Sequence, residues 1–189
     1  MHFLKTPNGT NEFLKNFALQ NKAIYKTENN YWSFSLFDLR QHTANEYMLD
    51  AVRAVFAIPL TNSKELLLVN DKKRGWEFPG GHLSKEELLN MDLKAALERE
   101  TLEESGYSIT IGEPIVAAII HNKESSINKD LNCPYPTRSV MLYFDAKVKD
   151  KVQDVSEPEI LDSAIFDMKK SKELLTNRNS HIYNLLFSS

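Results

Sequence analysis

Residues 76–107, WEFPGGHLSKEELLNMDLKAALERETLEESGY, organise the reading of the whole chain. Their second half has helical spacing: on a wheel of about 100° per residue, Leu93, Ala96 and Leu97 fall together and mark the side that faces a core. Glu100 and Glu104 fall inside that stripe, and Glu103 sits on its flank. Three carboxylates therefore stand where binary patterning asks for apolar side chains. Like-charged pairs at i,i+3 and i,i+4 cost a helix a few tenths of a kcal/mol, and burying unpaired carboxylates costs far more. Arg99 reaches Glu103 at i,i+4, but one guanidinium cannot neutralise three acids. A divalent cation can, and Mg2+ or Mn2+ suits carboxylates, water and phosphate oxygens. An acidic helix is ordinarily a solvated face; its surroundings argue otherwise here. Phe78-Pro79-Gly80-Gly81 is a tight turn after a strand-like run, where glycines let backbone carbonyls approach an ion or a phosphate. Gly106 stands where a left-handed cap should end the helix.

These residues resemble the Nudix hydrolase signature. Gly81 and Glu87, with five residues between them, match its first half, and Arg99-Glu100-Thr101-Leu102-Glu103-Glu104-Ser105-Gly106-Tyr107 matches its second. Thr101 stands where a larger apolar side chain is usual. Between the halves, the eleven residues Leu88 to Glu98 replace the usual seven. The extra four amount to about one helical turn and are expected to lengthen the helix at its start. Glu87 has two readings. It is either the supporting acid of the signature or the N3 partner of a Ser84 cap in the box Ser84-Lys85-Glu86-Glu87. The resemblance covers about residues 50–170.

Composition narrows the classes. Apolar residues make up 42% and charged residues 26%, values of a globular chain. A net charge of -3 disfavours a general nucleic-acid binder. The single cysteine, Cys133, excludes an internal disulfide and suits a reducing, cytoplasmic setting. No apolar run approaches membrane-span length, and the first residues lack the apolar stretch of a signal peptide. We expect an N-terminal extension over residues 1–49 and a domain over residues 50–189.

In the extension, Asn11 to Gln20 reads as a helix capped by Thr10. Tyr31 to Phe37 reads as an aromatic-rich strand that pairs either with the main sheet or with another chain, the second option giving a homodimer through the extension. Arg53 to Ile58 and Glu65 to Val69 are strands. Lys72, Lys73 and Arg74 form either a solvated loop or, beside the site, a phosphate contact, with Arg74 the first choice. Ser108 to Ile111, Ile115 to Ile120, Arg138 to Val148 and Ile160 to Phe166 are strands, Asn122 to Pro136 a long loop, and Ser171 to Phe187 a final helix. Glu157 and Glu159 precede the last strand.

The resemblance implies an α/β/α sandwich with a mixed sheet. It also implies metal-dependent hydrolysis of a small-molecule substrate, a nucleoside diphosphate linked to another group. Glu100, Glu103 and Glu104 with the Gly80 carbonyl would hold the metal. Glu103 would serve as general base oriented by Arg99, and an additional acid or substrate contact would come from Glu157 or Glu159. The proline and tyrosine that mark the ADP-sugar and dinucleoside polyphosphate branches are absent near Asn122 and Glu124, as is the coenzyme A branch's motif, leaving a nucleoside triphosphate by elimination. A nucleotide-sensing protein without turnover is the alternative; its hallmark would be loss of a signature acid, and all three are present.

Overall fold

The computed structural model describes residues 9–40, 46–122, 127–128, 133–134 and 137–188. The elements, in chain order, are α1 (Thr10–Gln20), β1 (Tyr25–Glu28), β2 (Trp32–Asp38), α2 (Glu46–Asp50), β3 (Val52–Leu60), β4 (Leu66–Asp71), β5 (Gly75–Glu77), β6 (Gly80–His82), α3 (Lys85–Asn90), α4 (Leu93–Ser105), β7 (Tyr107–Asn122), β8 (Ile127–Asn128), β9 (Cys133–Pro134), β10 (Arg138–Lys151), β11 (Ile160–Phe166), α5 (Met168–Leu174) and α6 (Asn177–Phe187). They build a mixed sheet with flanking helices, the expected α/β/α sandwich. Two compact units result, and the long strands β3, β7 and β10 contribute residues to both.

The first unit comprises Met1–Ala54, Leu83–Asp92 and Pro114–Leu142. Here the aromatic-rich strand β2 pairs within the chain: antiparallel to β1, with Tyr25 opposite Leu36, and antiparallel to β7, with Phe34 opposite Ile120 and Asp38 opposite Val116. Phe34, Leu36 and Phe37 are buried, and the Phe17 ring of α1 meets Phe37 edge-on at 5.3 Å. Thr10 is not the cap of α1. Gly9 holds that position at φ 97, and Thr10 begins the helix with its side chain buried. Residues 41–45 of the expected loop 40–46 and most of the loop 122–136 lie outside the described residues, Glu46 already belongs to α2, and Cys133 and Pro134 pair with Ile127 and Asn128 as a short ladder.

The second unit comprises Val55–His82, Leu93–Glu113 and Tyr143–Ser189. Strand β4 lies between β5 and β11, with Val69 opposite Glu77 and Leu68 opposite Ala164. Helix α4 packs on β4, β6 and β11. Leu66 to Val69 and Tyr143 are buried, so this part of the sheet is covered on both faces.

Three expected elements differ. The helix of the signature is not lengthened by the insertion: α3 ends at Met91, whose left-handed φ of 52 breaks the path, and α4 begins anew at Leu93. The two expected strands after Gly106 are one strand, β7, and the Asp145 carboxylate accepts the Glu113 N–H at the point where the break was expected. The final helix is two, since Leu175 turns extended at ψ 129 and Asp167 caps α5 by accepting the Lys170 N–H.

Candidate active site

The wheel's stripe of Glu100 and Glu104 lies deeper than the flanking Glu103, and Glu104 is the deepest of the three. Glu104 is buried at 7% exposure, whereas the side chains of Glu100 and Glu103 are 15% and 39% exposed. The Gly80 N–H donates to Glu104 Oε2 at 2.7 Å, tying the last turn of α4 to the glycine turn. Burial pushes the Glu104 carboxyl up to about 8. The Gly80 hydrogen bond opposes that shift, the charges of Glu100 and Glu77 add to it, and Arg74 opposes it.

Backbone packed against Gly80 requires a glycine there, and Gly81 leaves space that the end of the Glu100 side chain fills. Gly80 has φ 143, and a Cβ there would sit 2.2 Å from the Val55 carbonyl oxygen. At Gly81 a Cβ would come within 2.5 Å of Glu100 Oε2, so the bare backbone is what makes room for that carboxylate. Gly106 stops the helix at φ 76 and receives Val152 N–H on its carbonyl at 2.8 Å.

Arg99 is shared between two acids. Its Nη2 lies 2.9 Å from Glu100 Oε1, and its Nη1 lies 2.9 Å from Glu103 Oε2. Nη2 also donates to the His82 carbonyl at 3.1 Å, fixing the guanidinium against the strand that follows the glycine turn.

A second charge network occupies the same unit. Arg74 Nη2 lies 2.9 Å from Asp71 Oδ2 and 2.7 Å from Glu77 Oε1, and the two acids' side chains are only 1% and 6% exposed. Arg178 of α6 places Nη2 3.8 Å from Glu77 Oε2 and its guanidinium 5.1 Å from the Phe56 ring centroid. The guanidinium expected at substrate phosphate is thus engaged by two buried carboxylates. Asp71, Glu77 and Arg178 escaped the sequence reading. The i,i+3 ladder Asp71, Arg74, Glu77 was visible in principle, but nothing in the sequence ties Arg178 to it.

The segment before β11 reaches α4 through its backbone. Ser156 N–H and Glu157 N–H donate to the Glu103 carbonyl at 2.9 and 3.2 Å. Glu159 is exposed and pairs with Lys73 at 3.3 Å. Glu87 serves the capping box: its Oε2 accepts Ser84 N–H at 2.6 Å, and its own N–H donates to Ser84 Oγ at 3.2 Å.

Among the described residues no three His, Cys, Asp or Glu side chains already converge as ligands on one point. The donor chemistry nevertheless suits a hard divalent cation. Three carboxylates occupy less than two turns of one helix, the deepest is desolvated, and the backbone beside Glu100 carries no side chain.

The family model described as NUDIX domain matches residues 50–186. The chain belongs to the Nudix family. With that family goes its enzyme class, hydrolases acting on phosphoric anhydrides. Among solved structures, the Nudix chain resembles the Bacillus subtilis pyrophosphohydrolase BsRppH at 19% identity and a TM-score of 0.53, over 75% of this chain and 77% of that one. It also resembles a MutT protein from Methanosarcina mazei, at 19% identity, a TM-score of 0.47, and 72% and 92% of the two chains. A Caenorhabditis elegans Ap4A hydrolase matches at 20% identity, a TM-score of 0.48, and 72% and 96%. These likenesses concern the fold. No curated protein matches the sequence. No helix among the described residues is long and apolar enough to cross a membrane.

Proposed function

We propose that this Nudix protein hydrolyses a nucleoside diphosphate linked to another group, with a nucleoside triphosphate or related nucleotide as the first substrate to try. Glu100, Glu103, Glu104 and the Gly80 carbonyl would hold Mg2+ or Mn2+, which when bound neutralises phosphate charge and acidifies water. The observation that carries the reading is the joint between helix and turn, where Gly80 N–H holds Glu104 and Arg99 holds both Glu100 and Glu103.

Glu103 is the general base. Its side chain is the most exposed of the three, so water reaches it, and Arg99 Nη1 at 2.9 Å from Oε2 aims the carboxylate. Glu104, desolvated and bonded to Gly80, is better suited to ligation than to proton exchange with bulk water. Arg74 would act through Asp71 and Glu77. The Glu157–Glu159 segment, bonded to the Glu103 carbonyl, would border the substrate. The single cysteine suits a cytoplasmic setting.

The test is a panel of nucleoside triphosphates, ADP-ribose, dinucleoside polyphosphates and capped RNA, incubated with Mg2+, Mn2+ or EDTA and read by product mass. Turnover should need the metal and should fall roughly a hundredfold or more in Glu103→Gln. Full activity in metal-free buffer refutes the metal role. Tight nucleotide binding with no turnover across the panel makes the protein a sensor.

A further inference from the structure

Arg178, the second residue of α6, grips the surroundings of the glycine turn at two points. Its Nη2 lies 3.8 Å from Glu77 Oε2, and its guanidinium carbon sits over the Phe56 ring, 5.1 Å from the centroid. Glu77 ends β5 and leads into the turn. Phe56 is the turn's floor. Ala57 N–H donates to the Pro79 carbonyl at 2.9 Å, and a Cβ on Gly80 would stand 2.5 Å from Phe56 Cα and 3.0 Å from its Cδ1. The same ring stacks on Tyr143 at 4.9 Å and 18°. Helix α6 is itself anchored, since Ile182 and Tyr183 are buried and Tyr183 Oη–H donates to the Met168 carbonyl at 2.7 Å. All of these residues belong to the second unit.

Neutralising Glu77 does not account for Arg178. Arg74 already meets Glu77 Oε1 with Nη2 at 2.7 Å and Nε at 2.8 Å, whereas Arg178, at 3.8 Å, stands beyond hydrogen-bond reach. What a cation at the ring face adds is restraint: the ring quadrupole attracts it, and more strongly where water is excluded. Phe56 is only 6% exposed and the Arg178 side chain 26%. A ring held by Tyr143 and Arg178 cannot move away from Gly80 without giving up a contact. Gly80 is the residue whose N–H fixes Glu104 at 2.7 Å.

We propose that Arg178 is a positioning residue. Through Glu77 and Phe56 it keeps the turn 78–81 where Gly80 holds Glu104, so that the last helix sets the geometry of the α4 carboxylates. Its effect on metal binding rests on the ion site proposed for Glu100, Glu103 and Glu104; its effect on the turn does not.

The test uses the full chain, 15N-labelled and in chelator, as wild type, Arg178→Met and Arg178→Lys. Methionine keeps an apolar stem without the charge, and lysine keeps a cation for both Glu77 and the ring. Amide exchange of Gly80 is read as a ratio to that of Leu68 in the buried strand β4, which reports opening of the core and so removes any general loss of stability. The ratio should rise roughly fivefold or more in Arg178→Met, the factor that a contact of cation–π strength commands. In Arg178→Lys it should return near the wild-type value. Mn2+ affinity, measured separately by electron paramagnetic resonance, should weaken and recover in the same order. An unchanged ratio in Arg178→Met overturns the assignment, as does a lysine variant as loose as the methionine one. So does a raised ratio with Mn2+ affinity intact. A wild type that binds no Mn2+ fails the ion site itself, and the exchange ratio then decides for or against Arg178.

Discussion

Burial of Glu104 makes one side chain a determinant of how stability varies with pH. Its carboxyl is pushed up to about 8 from an ordinary value of 4.5. A raised acid is a stabilising contribution only while it stays protonated: that contribution is whole below 4.5, declines as the unfolded chain ionises, and is lost by about pH 8. In chelator, the melting temperature should therefore fall across that interval. Glu104→Gln keeps the volume and an acceptor for Gly80 N–H but cannot ionise, so its fall should be shallower. At the alkaline end it should exceed the wild type by roughly 1 kcal/mol or more. Parallel melting curves that decline identically would show that Glu104 is not the titrating group. Thr101, on the same buried face, makes an opposite kind of error. Its side chain is fully buried and Oγ1 has no partner, while its carbonyl accepts Ser105 Oγ–H at 2.6 Å. Thr101→Val exchanges an orphaned hydroxyl for a methyl of equal shape, and urea unfolding should show a gain of about 1 kcal/mol. A loss would mean that the hydroxyl is satisfied in solution.

Helix α3 owes its start to the reciprocal bonds between Ser84 and Glu87 and its end to Met91 in a left-handed conformation. Ser84→Ala should cost about 1 kcal/mol, measured by urea unfolding. Glu87→Gln preserves an acceptor for Ser84 N–H, so both stability and metal affinity should stay near wild type. A drop in Mg2+ affinity as large as that of Glu100→Gln would instead make Glu87 part of the ion site. These elements also mark what the sequence could reveal. Helical periodicity separates Glu100 and Glu104, in the core stripe, from Glu103 on its flank, because the three share one unbroken helix; the greater depth of Glu104 over Glu100 goes with the glycine turn, whose Gly80 N–H it accepts. The break before that helix was hidden: Met91 carries none of the small-residue chemistry that usually announces a positive φ. The continuity of β7 was hidden as well: Asp145, a residue remote in sequence, meets Glu113 only in the folded sheet. Local spacing is legible; pairings closed by the fold are not.

At the scale of the whole molecule, the network around Arg74 joins residues from Asp71 to Arg178, bringing the strand before the glycine turn together with the last helix. Two readings of Arg74 make different predictions. A guanidinium reserved for substrate phosphate would be dispensable for folding, and its removal would raise KM with little change in stability. A guanidinium that neutralises Asp71 and Glu77 cannot be removed cheaply, because both acids are nearly sealed from water and Arg178, at 3.8 Å, offers Glu77 only a looser contact. Breaking a buried pair by deleting one partner costs on the order of 3 kcal/mol. The Arg74 side chain is 52% exposed, which places the expected cost at or below that figure. Arg74→Ala should therefore lower the urea midpoint strongly at pH 7. Arg74→Lys, with one charge but no fork, should fall between it and the wild type. Arg178→Ala should cost less than Arg74→Ala, since it leaves both close contacts of Arg74 in place. A stable Arg74→Ala variant whose only defect is a raised KM would return Arg74 to the substrate.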